Sequence, residues 1–375
     1  MLKVAVAVAI LVLTACGQTT PVASHSSPTA TPSSTASPSA SASATASATA
    51  SPSTSPAAAG ATRLIVQDYS KNQVRLARFD AVDTASVTGS FVAVVGGKAV
   101  VLNVKTLLTI TAAGQIQTLG HLAGQPATVV VSPTLSQWVY TISDDKLTSQ
   151  VHLGSATGDR VIATIASPDG YSFYPPFTWN SSGVYFLKEP TGLGGVGPYL
   201  EYRFPLVKMD LSTGHITELT PSCVGEGVLD DGTLLCKLNT GGLEVRPPNG
   251  GSHTIQVATA TSGGNSVFTH FTLSADGQRF IVARNGNSNP DLVNYQMATA
   301  DLSGSSAATF GPADFYPDAS LPDGRVVADH LCWSFQGNGG PCTASLDGTY
   351  LISADGKSKT LFFKLPTGVV VVGYL

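Results

Sequence analysis

The sequence predicts an all-β chain folded as a single β-propeller, with seven four-stranded blades closed by pairing of N- and C-terminal strands, behind a disordered tether. Three observations predict it. Short runs rich in Val, Leu, Ile, Thr and Tyr recur between turn residues, and no long amphipathic helical period interrupts them. The runs group into a repeat of about fifty residues: an approach strand, a turn often reading Asp-Gly, an apolar strand and two further strands. The chain also ends on Val-Val-Val-Val-Gly-Tyr-Leu, an apolar strand that needs a partner from elsewhere in the chain.

Residues 1–15 read as a signal peptide. Met1-Leu2-Lys3 carries one positive charge, Val4 to Leu13 is apolar but too short to span a bilayer, and small residues precede Cys16. Leu13-Thr14-Ala15-Cys16 resembles the box of bacterial lipoproteins. The resemblance implies cleavage before Cys16, a diacylglycerol on its sulfur, and a lipid-anchored place at the cell membrane on the extracytoplasmic side.

Residues 16–60 are the tether. From Thr19 onward the composition is Ser, Thr, Ala and Pro, with no aromatic residue and no charge beyond that available to His25. Such a segment buries too little apolar surface to offset chain entropy, so disorder is expected. As a random coil it reaches on the order of 35–40 Å, and further where prolines extend it. A bare spacer is the simpler reading; Ser/Thr-rich stretches with Pro also suit O-glycosylation.

Residues 61–375 carry the folded domain. A net charge of −4 for the whole chain, with no basic stripe, lacks the electrostatic footprint of a nucleic-acid binder. Four copies of the repeat frame are legible: Phe177-Thr178-Trp179-Asn180-Ser181-Ser182-Gly183, Gly227-Val228-Leu229-Asp230-Asp231-Gly232, Phe271-Thr272-Leu273-Ser274-Ala275-Asp276-Gly277 and Ala319-Ser320-Leu321-Pro322-Asp323-Gly324, each followed by an apolar strand. A four-stranded unit cannot bury its own faces and must stack on its neighbours. Trp179 in the first frame and Met209-Asp210-Leu211-Ser212-Thr213-Gly214 later in that blade resemble the turns of TolB-like propellers, and the radial architecture is WD40-like. The resemblance covers the last four or five blades. The Asp-Gly pairs themselves have a structural reading, because Gly supplies positive φ in a tight hairpin.

The frame places six blades at Val87–Gly120, Ala127–Ala166, Tyr171–Thr220, Cys223–Ala260, Ser266–Gly311 and Asp314–Lys364. The seventh combines Thr62–Gln67 and Gln73–Phe79 with one or two strands from Gly368–Leu375. Six or eight blades are the alternatives. Beyond Cys16 four cysteines remain, in two local pairs, and an even count in an exported domain reads as disulfides, expected as Cys223–Cys236 and Cys332–Cys342. No Cys-x-x-Cys spacing supports zinc, and no cofactor or metal is expected.

In a propeller the connections between second and third strands share one face. Three are long: Lys188 to Pro205 with Tyr199, Tyr202 and Phe204, Arg284 to Leu292 with Asn287, and the cysteine-bounded loop with Trp333 and Phe335. Loops on a rigid scaffold carry binding, and exposed aromatics favour recognition. The competing reading has these aromatics covering the blades' own edges. Asn285, Asn287, Asn289 and Asp291 alternate as calcium ligands do, but with one carboxylate. The histidines read as isolated strand residues, and Asp144/Asp145 and Asp230/Asp231 as solvated turns. No Gly-x-Ser-x-Gly, His-Glu-x-x-His or nucleotide-binding glycine motif occurs.

The expected function is therefore a non-enzymatic binding or scaffold module for a protein, peptide or glycan of the cell envelope, with no nucleic-acid partner. The alternative is an envelope lyase or hydrolase with its site at the central channel, which a perturbed His or carboxylate cluster at the channel mouth would favour. A passive module of a larger envelope complex is the third reading.

Overall fold

The computed structural model describes residues 62–375 apart from 81, 127, 144–147, 167–171, 191–204, 220–223, 239, 259–267, 286–294, 331–345 and 365–368. The signal segment, Cys16 and the tether lie outside the described residues. The described chain begins with β1 (Leu64–Asp68), β2 (Gln73–Ala77) and β3 (Asp83–Thr88). Blade I follows as β4 (Ser90–Val95), β5 (Lys98–Asn103), β6 (Thr106–Thr111) and β7 (Ile116–His121). Blade II is β8 (Val129–Val131), β9 (Gln137–Ser143), β10 (Thr148–Ser155) and β11 (Gly158–Ala166). After β12 (Ser172–Phe173), blade III is built from β13 (Pro176–Asn180), β14 (Gly183–Leu187), β16 (Leu206–Met209) and β17 (Ile216–Glu218). Its insertion begins with β15 (Glu189–Pro190), which pairs back onto β12 outside the blade.

Blade IV is β18 (Val224–Val228), β19 (Leu234–Lys237), β20 (Gly242–Arg246) and β21 (His253–Gln256). Blade V is β22 (Phe268–Leu273), β23 (Arg279–Asn285), β24 (Tyr295–Asp301) and β25 (Ala308–Ala313). Blade VI is β26 (Phe315–Ser320), β27 (Val326–His330), β28 (Gly348–Ile352) and β29 (Lys359–Phe363). The last strand, β30 (Val369–Tyr374), pairs with β1 to give blade VII in the order β3-β2-β1-β30. The described residues thus form seven four-stranded antiparallel blades, as expected.

Two boundaries differ from expectation. Val87 lies in β3, so the N-terminus gives three strands to blade VII and the C-terminus gives one, the innermost. Arg284 and Asn285 remain paired in β23, which shortens the blade V loop to residues 286–294. Both follow from strands extending until their backbone partners run out.

The core explains why the strands read as unbroken apolar runs. Successive side chains of a strand point to opposite sheet faces, and here both faces meet a neighbouring blade. Leu64 and Val66 of β1 pack with Ala319, Leu321 and Val327 of blade VI, whereas Ile65 between them packs with Ala99, Val101 and Ile110 of blade I. Val100 turns the other way and meets Val129, Val131, Trp138 and Tyr140 of blade II. The pattern repeats between blades II and III, IV and V, and V and VI. Blades III and IV are also tied by hydrogen bonds: Asn180 Nδ2 donates to Val228 O (3.0 Å) and Leu229 O (2.9 Å), and Ser181 Oγ to Asp230 O (2.7 Å).

The Asp-Gly turns are structural. Gly277 takes φ 66° and Gly324 φ 83°. Asp276 Oδ1 accepts from Ser274 Oγ (2.5 Å) and the Gln278 N–H (3.0 Å). In the β16–β17 turn, Asp210 Oδ1 accepts from the N–H groups of Ser212 (2.8 Å) and Thr213 (3.1 Å), and these bonds with that of the Ser212 hydroxyl hold its carboxyl at about 2. Asp230 and Asp231 are exposed, as a solvated turn requires. Among the described residues no helix is long and apolar enough to cross a membrane.

Candidate functional site at the channel wall

The innermost strands of six blades share an irregularity that re-aims side chains. In blades I, III, IV, V, VI and VII the register between the innermost strand and its partner slips by one residue. A β-bulge leaves the extra residue unpaired and re-aims its side chain. The slip falls at Val92 in blade I, Phe177 in III, Glu226 in IV, His270 and Phe271 in V, Asp318 in VI and Val372 in VII. The bulge holds an apolar residue in blades I, III and VII, a carboxylate in IV and VI, and the pair His270-Phe271 in the intervening blade V. Val92, Phe271 and Val372 pack into the cores between blades, whereas Glu226, His270 and Asp318 bring ionisable groups to the bulges of an arc of three consecutive blades.

His270 is the accessible member of that arc. Its backbone has φ 53°, a left-handed conformation that a residue with a Cβ adopts at a cost of about 1–2 kcal/mol. The side chain is exposed although it stands on an innermost strand, and burial still lowers the imidazole below its ordinary value. Open to water yet surrounded by protein is the condition of a channel wall, and it favours a neutral ring near pH 7. The ring lies 4.8 Å from that of Tyr316, which is 4.5 Å from that of Tyr295. Tyr316 is 6% exposed, and burial followed by the nearby charges of Tyr295, Asp314 and Asp347 pushes its phenol far above the usual range. Asp314 is itself held at φ 66°, with its N–H donating to Tyr295 O at 2.6 Å.

Behind this aromatic group lie two carboxyls. Asp318 is half-buried by its exposed surface, but its Oδ2 is closed off and has no hydrogen-bond partner. Asp329, 2% exposed, accepts from Thr349 Oγ1 at 2.5 Å. Burial raises both, Asp329 to about 6 and Asp318 well above its ordinary value, where the Asp329 charge and the hydrogen bond between the two carboxyls add to burial. Enclosed carboxyls close enough to feel each other's charge disfavour carrying two negative charges at once. Next along β27, His330 Nδ1 meets Asp347 Oδ1 at 3.0 Å, and its ring stands edge-on to Phe315 at 5.1 Å. In blade IV, Glu226 Oε1 pairs with Lys237 Nζ at 3.3 Å, and the ammonium lies 5.4 Å from the centre of the Phe268 ring.

This arc lies at the end of the blades from which the long loops depart. Asn285 pairs with Tyr295 as β23 and β24 diverge into residues 286–294, and His330 pairs with Gly348 where residues 331–345 begin and end. The binding residues expected from sequence, Tyr199, Tyr202, Phe204, Asn287, Trp333 and Phe335, lie outside the described residues, as do Cys16, Cys223, Cys332 and Cys342. Cys236 is fully buried on β19 opposite Gly225. Among the described residues no group of three or more His, Cys, Asp and Glu could hold a metal.

Sequence reasoning missed the arc by reading each histidine and aspartate singly. A signal was available. Phe177, Glu226, Phe271 and Asp318 each precede the turn glycine of their repeat by six residues, and His270 adjoins one of them. Aligning the repeats on Gly183, Gly232, Gly277 and Gly324 brings Glu226 and Asp318 to one position of their units, with His270 one residue away in the unit between them. A second polar group has a structural role: in blade II, Asp159 accepts from Tyr140 Oη at 2.5 Å and meets His152 Nδ1 at 2.8 Å, while Tyr140 Oη accepts the Ala123 N–H at 2.8 Å. Those bonds tie β9, β10 and β11 together away from the innermost strand.

No family model matches the chain, and no curated protein does. Solved structures do at low identity. TolB from Acinetobacter baumannii is 16% identical over 80% of this chain and 62% of its own, with a TM-score of 0.38. This chain thus spans less than two thirds of that protein's length. An oligogalacturonate lyase in complex with manganese is 14% identical over 80% and 83%, with a TM-score of 0.48. The Cps50 (Swd1) β-propeller domain of Myceliophteria thermophila is 10% identical over 84% and 90%, with a TM-score of 0.41. The likeness is one of fold.

Proposed function

We propose that this chain is a lipid-anchored, extracytoplasmic β-propeller that binds a protein, peptide or glycan of the cell envelope at the loop end of blades III to VI, with the channel arc as the floor of the site. The observation that carries the reading is the coincidence of the arc of Glu226, His270 and Asp318 with the end where the long loops leave. Tyr199, Tyr202, Phe204, Asn287, Trp333 and Phe335, on the segments joining those blades' strands, are the residues we assign to binding. Cys16 supplies the anchor and residues 16–60 the reach. Disulfides Cys223–Cys236 and Cys332–Cys342 brace blade IV and the blade VI loop, and full burial of Cys236 suits the first.

Catalysis at the channel is the second reading, favoured by a neutral imidazole and a raised carboxyl pair in one arc. Reach decides against it. A general acid must come within hydrogen-bond distance of the substrate atom it protonates, and the carboxyl oxygens here are largely enclosed. His270 and Tyr295 are the groups a ligand can touch, and they serve recognition.

In-cell crosslinking followed by mass spectrometry, comparing wild type with the double substitution His270→Ala and Tyr295→Ala and with deletion of residues 191–204, tests the reading. A specific envelope partner recovered with wild type should fall at least about tenfold in both variants, a loss of about 1.4 kcal/mol or more in binding. The same partners at unchanged yield in both would overturn it.

A further inference from the structure

Tyr316 is 6% exposed, yet its hydroxyl has no hydrogen-bond partner among the described residues and is not closed off from solvent. A buried tyrosine ordinarily gives its hydroxyl to a partner, so an idle one points to a group that arrives from outside. The rings of His270 and Tyr295 flank that of Tyr316, with centres 4.8 Å and 4.5 Å away and planes tilted by 58° and 54°. His270 is exposed and Tyr295 half-buried, so a ligand can reach this group of rings. Burial, and after it the charges of Tyr295, Asp314 and Asp347, hold the Tyr316 phenol far above its usual range. The hydroxyl therefore stays protonated, and its lone pairs remain for an incoming N–H.

A carboxylate stands beside the rings. Asp314 is two residues before Tyr316, and its N–H fastens it to Tyr295 O at 2.6 Å. It forms no ion pair with any described residue. Cations of blades IV to VI are directed elsewhere: Lys237 to Glu226 (3.3 Å), Arg284 to Val257 O (3.0 Å) and Thr309 Oγ1 (2.6 Å), Lys359 over the Phe315 ring (4.7 Å), and His330 to Asp347 (3.0 Å). An ammonium or guanidinium uses all that is left, since it is attracted to aromatic faces, donates to a hydroxyl and neutralises a carboxylate.

On the reading that this end of the propeller docks an envelope partner, we infer that Tyr316, His270, Tyr295 and Asp314 receive a cationic side chain, lysine or arginine, of a protein or peptide. Charge decides against a neutral glycan. Sugar hydroxyls could bond to Tyr316, but the Asp314 charge would face an uncharged ligand. Burial lowers the His270 imidazole, which keeps the ring neutral and removes a competing positive charge.

The test is saturation-transfer NMR of the full chain with two peptides, acetyl-Gly-Arg-Gly-amide and its citrulline counterpart, which keeps the planar side chain without the charge. The arginine peptide should bind saturably below about 10 mM at about 20 mM salt, at least about tenfold tighter than the citrulline peptide, and the gap should narrow at about 0.5 M salt. Asp314→Asn should weaken the arginine peptide about fivefold, and Tyr316→Phe, which keeps the ring, about threefold, with the citrulline peptide unchanged within about twofold. Equal affinity for the two peptides, no saturable binding of the arginine peptide, or tighter binding of the neutral glycan chitotetraose overturns the inference. The wild-type comparison stands even where a variant does not fold. If the peptides bind equally while a crosslinked partner still depends on His270 and Tyr295, the cation falls alone. If the arginine peptide is preferred and no partner depends on them, the cation site stands and the docking reading falls.

Discussion

At the scale of single residues, the chain places unfavourable conformations and charges where they line a surface. His270 takes a backbone conformation that glycine would adopt freely, and Asp314 repeats this sixteen residues before the end of β27. Strained positions persist only where the surroundings over-determine them. The strain at His270 can be separated from the loss of its ring. His270→Gly and His270→Ala both delete the contact with Tyr316, but only Gly relieves the dihedral, so the Gly variant should be the more stable of the two by about 1 kcal/mol in urea unfolding. Equal stability of the two variants would mean that the left-handed backbone costs nothing there.

At the scale of elements, a strand is buried or re-aimed according to what crosses the blade boundary. Trp138 of β9, 1% exposed, runs between Gly154 on the adjacent β10 and Gly120 on β7 of blade I. A Cβ at Gly154 would lie 2.0 Å from Trp138 Nε1, and one at Gly120 would lie 2.0 Å from Cη2. The indole therefore fills space that two side chains would otherwise take. Gly154→Ala is expected to destabilise the fold by about 3 kcal/mol through overpacking, measured as a lower denaturant midpoint at unchanged slope. A shift too small to measure would show that the indole can rotate away. The bulges belong to the same scale: a slip of one residue decides whether Glu226 or Asp318 continues the ladder or turns from it.

At the scale of the whole molecule, stability depends on closing the ring. β30 is the innermost strand of blade VII, and Val369 and Val371 pack with Leu64, Val66 and Leu321. Removing residues 369–375 would strip the edge of β1 and open the interface with blade VI. The truncated chain should lose its cooperative thermal transition by circular dichroism. A transition within a few degrees of wild type would show that the outer three strands of blade VII close the ring unaided. The arrangement also accounts for the apolar run at the C-terminus, which would otherwise be an exposed edge.

The sequence by itself determined the repeat, the turns and the strand faces. These depend on local chemistry: Gly277 and Gly324 at positive φ, Asp210 and Asp276 capping their own turns, and alternation in Leu64-Ile65-Val66. The closing of the ring by both ends was legible from the apolar C-terminal strand, although the division into three strands and one was not, because Asp83–Thr88 carries little apolar signal on an outer edge. Tertiary structure alone decided the channel arc. Glu226, His270 and Asp318 are far apart in the chain and look unremarkable on their strands. They come onto neighbouring innermost strands only because radial packing sets three consecutive bulged blades side by side, and enclosure there shifts the His270 imidazole and the two carboxyls of blade VI.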